Sequence, residues 1–172
     1  GEQKIAPQIL NHSKFYFVQD SIYQEKIVDK FIKKGDVIIH LAVDENTFDN
    51  PQNKNAYNFE DYLKIIASKQ IGRFIFLSTA DIYGINNSDN ILETDIVKPT
   101  TIYSASKVAF EAHLQAYYSL FGLPVTIFRP ATIYGFKHQP GWLIPRVITR
   151  ALKNQTIQIT GDGSVKRDWM FI

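Results

Sequence analysis

The sequence predicts an α/β fold built around a parallel sheet. Two features lead there. Short apolar runs alternate with longer segments of helical period, and several of the runs are apolar at nearly every position. Strands buried on both faces read as continuous hydrophobic runs, and a parallel sheet covered by helices is the architecture that buries them so. A third feature agrees. The chemically unusual residues gather just past the ends of the runs, where open parallel sheets bind ligands.

The elements follow in order. Lys14-Phe15-Tyr16-Phe17-Val18 reads as a strand ending at Gln19-Asp20. Gln24 to Lys34 has helical period and stops at Gly35. Asp36 to Ala42 is a continuous β-branched run, the pattern of a strand buried on both faces. Asp44 to Asn55 is polar and loop-like, Ala56 to Lys69 is helical, and Ile71-Gly72 ends that helix. Phe74 to Ser78 is another buried strand, followed by a loop from Asn86 to Thr100 rich in Asn, Asp and Pro. Ile102 to Phe121 is the longest helix expected, with Gly122 as its C-cap and Pro124 blocking continuation. Val125 to Arg129 is a third buried strand, Leu143 to Asn154 a helix, Thr156 to Ile159 a short strand, and Gly161 to Ser164 a turn.

Composition narrows the function. At 172 residues, 45% of them hydrophobic and 13% aromatic, the chain suits one domain with a substantial core. Nineteen basic against seventeen acidic residues leave a formal charge of +2, interspersed and without a basic stripe, so nucleic acid is not an expected partner. No apolar run approaches the roughly 20 residues that span a bilayer, so no membrane is expected either. Gly1-Glu2-Gln3-Lys4 does not read as a signal peptide, and the chain has no cysteine; both fit a cytoplasmic setting. His12, His113 and His138 show no metal-ligand spacing, and His40 reads as a satisfied core histidine; no metal is expected.

One spacing carries chemistry. Tyr103 and Lys107 lie four residues apart in Ile102-Tyr103-Ser104-Ala105-Ser106-Lys107. On a helix they share a face one turn apart. A nearby cation favours the ionised phenol, and such a pair can exchange a proton with a substrate hydroxyl near neutral pH. Alone the pattern is common by chance. Its weight comes from the strand ends around it.

Those segments together resemble the extended short-chain dehydrogenase/reductases, the family of nucleotide-sugar epimerases and dehydratases. Val18-Gln19-Asp20-Ser21 is similar to the family's strand end, whose Asp contacts the cofactor adenine; capping of the next helix by Asp20 is an equal reading. His40-Leu41-Ala42, with Val43 after it, is similar to the strand whose backbone flanks the cofactor, and Asn58 falls at a helix-opening Asn. Leu77-Ser78-Thr79-Ala80-Asp81-Ile82-Tyr83-Gly84 resembles the Ser/Thr segment before the active-site turn. Arg129-Pro130-Ala131-Thr132-Ile133-Tyr134-Gly135 and Gly161-Asp162-Gly163 with Arg167-Asp168 complete the order.

The resemblance implies a Rossmann-like, doubly wound parallel sheet. It divides the chain into a partial NAD-binding domain over 1–140 and the start of a substrate-binding lobe over 141–172. No Gly-x-x-Gly-x-x-Gly occurs, so the first βαβ unit with its phosphate-holding loop is expected to be missing and the substrate lobe incomplete. The expected cofactor is NAD, with NADP not separated from it. Implied cofactor contacts are Asp20, Ser21, Leu41, Ala42, Val43, Asn58, Leu77, Tyr103, Lys107 and Pro130. Implied substrate contacts are Thr79, Ala80, Asp81, Thr132 and Arg167.

The implied catalytic residues are Tyr103 as general base at a sugar C4 hydroxyl, Thr79 aligning that hydroxyl, and Lys107 lowering the phenol's pKa. The family's 4,6-dehydratases carry Thr-Asp-Glu where this chain has Thr79-Ala80-Asp81, so the acid of water elimination is replaced by a methyl group. The expected activity is therefore a nucleotide-sugar 4-epimerase. A reductase or dehydratase of the same family, or an inactive binding domain, are the alternatives. A homodimer is implied through a four-helix interface built from the helices around Asn58–Lys69 and Tyr103–Phe121.

Overall fold

The computed structural model describes residues 7–22, 24–41, 59–85, 90–135, 141–159 and 161–172. Its elements are α1 (Pro7–Leu10), α2 (Glu25–Phe31), β1 (Val37–His40), α3 (Phe59–Ser68), β2 (Arg73–Leu77), a 3-10 turn (Ala80–Tyr83), α4 (Ile102–Phe121), β3 (Val125–Phe128), β4 (Thr132–Tyr134), α5 (Leu143–Leu152) and β5 (Trp169–Phe171).

Among the described residues, β1, β2 and β3 form one parallel sheet in that order. Its register pairs Ile38 with Phe74 and Phe74 with Val125. Parallel neighbours need a crossover, and α3 and α4 supply the two that the alternating pattern predicts. A second pair, β4 with β5, is also parallel and joins Thr132 to Trp169.

The core lies between the sheet and the two crossover helices. Phe74 and Phe76, on one face of β2, are fully buried against Phe59, Leu63 and Ile66 of α3 and Leu114 of α4. Each such side chain contributes roughly 1.5–3 kcal/mol of apolar burial. The Tyr117 hydroxyl of α4 donates to the Glu60 carbonyl of α3 at 3.2 Å and fixes the helices against each other. At the other end of the sheet, Gly84 has φ +63° and lies so close to the Lys98 carbonyl that no Cβ would fit.

Four expectations change. Lys14–Val18 is irregular rather than a strand, with Tyr16 and Val18 exposed. β propensity describes a side chain that fits a half-buried pleat, and among the described residues this run pairs with no strand. Thr156–Ile159 is irregular for the same reason. The outer strands are not buried on both faces, because both lie at the edges of the sheet among the described residues. In β1 Val37 and Ile39 are exposed, Ile38 partly and His40 fully covered. In β3 Val125 to Ile127 are only partly covered and Phe128 is exposed. Finally, β4 and β5 form a strand pair that local pattern does not reveal, because each is three residues long and its partner lies far along the chain.

Candidate active site

The C-terminal end of β2 is the floor of the site. The ladder continues past the strands, with the Ser78 N–H donating to Phe128 O at 2.7 Å and the Ala80 N–H to Pro130 O at 2.9 Å. These bonds hold Thr79 beside Pro130. Thr79 caps the 3-10 turn, and its hydroxyl accepts from the Asp81 N–H at 3.2 Å. Ser78 is buried beneath it, and its hydroxyl has no hydrogen-bond partner among the described residues.

The wall is the first two turns of α4. Thr101 and Ser104 form a reciprocal capping box, Thr101 Oγ1 accepting from the Ser104 N–H at 3.0 Å and Ser104 Oγ from the Thr101 N–H at 3.1 Å. The helix therefore starts at a fixed residue, and Tyr103 stands in its first turn, 37% exposed. Lys107, one turn on, is 2% exposed. Its ammonium donates to the Leu77 carbonyl at 2.7 Å. It lies 4.8 Å from the Phe76 ring centroid and 5.8 Å from that of Tyr103.

Burial pushes the Lys107 pKa down to about 8, against an upward pull from the Glu111 carboxylate. His40 faces the same region from β1, enclosed by the rings of Phe59, Tyr62, Phe74 and Phe76 at 5.7–5.8 Å. Desolvation, and then the Lys107 charge, lower its pKa to about 4. At neutral pH the site thus holds a buried ammonium beside a neutral imidazole.

The structure brings Leu77, Thr79, Tyr103, Lys107 and Pro130 to one end of the sheet. Leu41 follows the last residue of β1 at that same end. Thr132 opens β4, and Arg167 lies two residues before its partner Trp169, so the β4–β5 pairing draws these two distant positions together. Ala80 and Asp81 form the start of the 3-10 turn. Asp20 is exposed, and its carboxylate accepts from the Ser21 N–H at 2.8 Å and the Gln24 amide at 2.7 Å, closing the turn before α2. Ala42, Val43 and Asn58 lie outside the described residues.

Sequence reading missed a charged hub beside this pair. Arg129 donates through Nε and Nη2 to both oxygens of Glu111 at 2.6–3.2 Å, and through Nη1 to the Tyr83 hydroxyl at 2.7 Å and the Glu93 carbonyl at 2.8 Å. Glu111 is buried, and its hydrogen bonds drive the guanidinium pKa above its ordinary value. The available signal was the spacing of Tyr103, Lys107 and Glu111, each four residues after the last.

Among the described residues no cluster of His, Cys, Asp and Glu could hold a metal ion, and no helix is long and apolar enough to cross a membrane.

Comparison with known proteins places this geometry. The family model described as NAD dependent epimerase/dehydratase family matches residues 3–172. A dTDP-D-glucose 4,6-dehydratase of Dictyostelium discoideum is 31% identical over 95% of this chain and 42% of its own length. The crystal structure of a DesIV double mutant, a dTDP-glucose 4,6-dehydratase from Streptomyces venezuelae with NAD bound, has a TM-score of 0.81 at 25% identity. That match covers 95% of this chain and 53% of the other. UDP-glucuronic acid 4-epimerase from Bacillus cereus, in complex with UDP-glucuronic acid and NAD, shares the fold with a TM-score of 0.78 at 24% identity, over 95% of this chain and 54% of its own. The Rossmann-like reading of the sheet agrees with both structures. The chain spans about half the length of these proteins.

Proposed function

The chain belongs to the NAD-dependent epimerase/dehydratase family, and from that premise we propose that it carries the proton-handling site of a nucleotide-sugar 4-epimerase. The observation that supports this reading most is the seat of Lys107, a buried ammonium anchored on the Leu77 carbonyl one helical turn from Tyr103. A held cation favours the ionised form of the phenol. Tyr103 then takes the proton from a sugar C4 hydroxyl, and Thr79, fixed at the strand end, aligns that hydroxyl.

NAD, when bound, supplies the hydride acceptor and donor. The nicotinamide end of such a cofactor fits the residues present. Lys107 has three N–H donors, one of them used on Leu77 O, and the backbones at Leu41, Leu77 and Pro130 line the same sheet end. Asp20 and Ser21, with Ala42, Val43 and Asn58, are the further contacts implied by the family. The chain's own sequence offers no Gly-rich turn for the pyrophosphate.

Ala80 separates this activity from that of the dehydratase relatives. Elimination of water needs a proton donor beside the leaving hydroxyl, and a methyl group cannot serve. Asp81 remains, exposed at the turn, and with Thr132 and Arg167 forms the proposed substrate contacts. The substrate is a nucleotide-linked hexose, and the active species a homodimer.

Calorimetric titration with NAD, then chromatography of UDP- and dTDP-hexoses after incubation, tests the reading. Interconversion of C4 epimers is expected, and Tyr103→Phe should lower the rate by about 10²–10⁴-fold, the usual range for one general acid–base group. A 4-keto-6-deoxy product would make the chain a dehydratase, and stoichiometric consumption of reduced cofactor would make it a reductase. A chain that binds neither NAD nor sugar nucleotide would be a non-catalytic domain.

A further inference from the structure

We propose that Glu111, held by Arg129, is a positioning residue for the proton-handling pair: it locks the face of α4 that carries Tyr103 and Lys107 against the strand ends and supplies the negative charge that balances the buried ammonium. The proposal rests on the reading of Tyr103 and Lys107 as that pair.

The geometry begins with the helix. Residues 103, 107 and 111 stand on successive turns of one face. A carboxylate as buried as Glu111, which is 3% exposed, persists only when paired. Arg129 provides the pairing with a fork onto both oxygens, at 3.1 and 3.2 Å from Nε and 2.6 Å from Nη2. Such a planar fork tolerates little sliding. The same guanidinium holds the Tyr83 hydroxyl and the Glu93 carbonyl, so one cation ties α4 to the end of β3, the turn after β2 and the loop before α4. Lys107 reaches Leu77 O only while this register is kept.

The electrostatics point the same way. The groups facing Lys107 are His40 from β1, the Phe76 ring and Leu77 carbonyl from β2, and Tyr103 and Glu111 from its own helix, with Arg129 and Tyr83 bonded into the same network behind Glu111. His40, neutral at pH 7, adds no positive charge. Glu111 is the carboxylate whose field opposes the desolvation of Lys107. It spends its hydrogen bonds on Arg129, so it acts on the ammonium through space.

The test is the titration of Lys107 in the ligand-free full chain labelled with ¹³C-lysine, its Cε signal assigned by loss in Lys107→Arg. Glu111→Gln should shift the midpoint to lower pH. It also leaves Arg129 without its counter-charge, which endangers folding. The double variant E111Q/R129Q replaces both charges with amides and should show a smaller downward shift, because the opposing positive charge of Arg129 leaves with that of Glu111. An unmoved midpoint in a folded variant overturns the proposal, since a purely structural pair would change only the melting temperature. Failure of both variants to fold also overturns it, assigning the pair to stability alone. The midpoint is read without cofactor or substrate. A chain that bound neither would therefore sink the functional reading and leave this result standing.

Discussion

His40 and Lys107 solve the same problem in opposite ways. Both are basic groups buried at the C-terminal end of the sheet. Lys107 keeps one strong hydrogen bond and a distant carboxylate, and with a pKa of about 8 it stays largely charged at neutral pH. His40 stacks among aromatic rings and gives up its charge. Its pKa falls from 6.5 to about 4, so on acidification the unfolded chain takes up a proton that the folded chain refuses. Stability is therefore fully present above pH 6.5 and is lost as pH falls through the window to about 4, by about 3 kcal/mol in all. His40→Phe keeps a ring in the aromatic cluster and removes the proton. Melting temperatures measured from pH 7 to pH 4 should drop less in this variant than in the parent chain, and equal slopes would refute the assignment. The Tyr103–Lys107 spacing was legible in the sequence because one helical turn relates the two residues. The Glu111–Arg129 pair was not, because a strand and eighteen positions separate partners that only the packed fold brings together.

At the scale of elements, helices were read more accurately than strands. The expected bounds of α4, Ile102 to Phe121, are the observed ones. Its ends are written locally: a Thr101–Ser104 box opens it, and Gly122, in a left-handed conformation at φ +67°, closes it. A strand has no such signals of its own. Lys14–Val18 has strand composition but pairs with no strand among the described residues, whereas Thr132–Tyr134 is too short a run to announce itself but gains a partner in Trp169–Phe171. The cap matters for the site because Tyr103 is only two residues beyond it. Thr101→Ala removes the hydroxyl that accepts from the Ser104 N–H and leaves only the reverse bond, from the backbone N–H of residue 101 to Ser104 Oγ. It should reduce stability by about 1 kcal/mol in urea denaturation. It should also loosen the first turn, reducing turnover more than cofactor affinity, because Lys107 retains its own anchor on Leu77 a turn deeper. Equal losses in both would place the effect in global stability instead.

For the whole molecule, the proposed homodimer has two apolar surfaces to choose between. Two groups of exposed hydrophobic residues lie on regular elements that a second subunit can reach. Tyr118, Leu120 and Phe121 lie on the outer side of α4, and Val37, Ile39 and Leu41 on the uncovered face of β1. The helical group belongs to the element that, with α3, the family resemblance assigns to a four-helix dimer. The strand group lies on an edge strand among the described residues, where unpaired backbone and apolar side chains favour non-specific association. The proposed homodimer makes these separable. Light scattering should give twice the 19.7 kDa of the single chain. Tyr118→Ser with Phe121→Ser should return that mass to the monomer value. Val37→Thr with Ile39→Thr keeps β-branched side chains in the strand while making its open face polar. It should leave the dimer intact and reduce only larger aggregates. Loss of the dimer in the strand variant, with the helix variant still dimeric, would move the interface from α4 to the sheet. It would also put the partner subunit beside β1, the strand that carries His40.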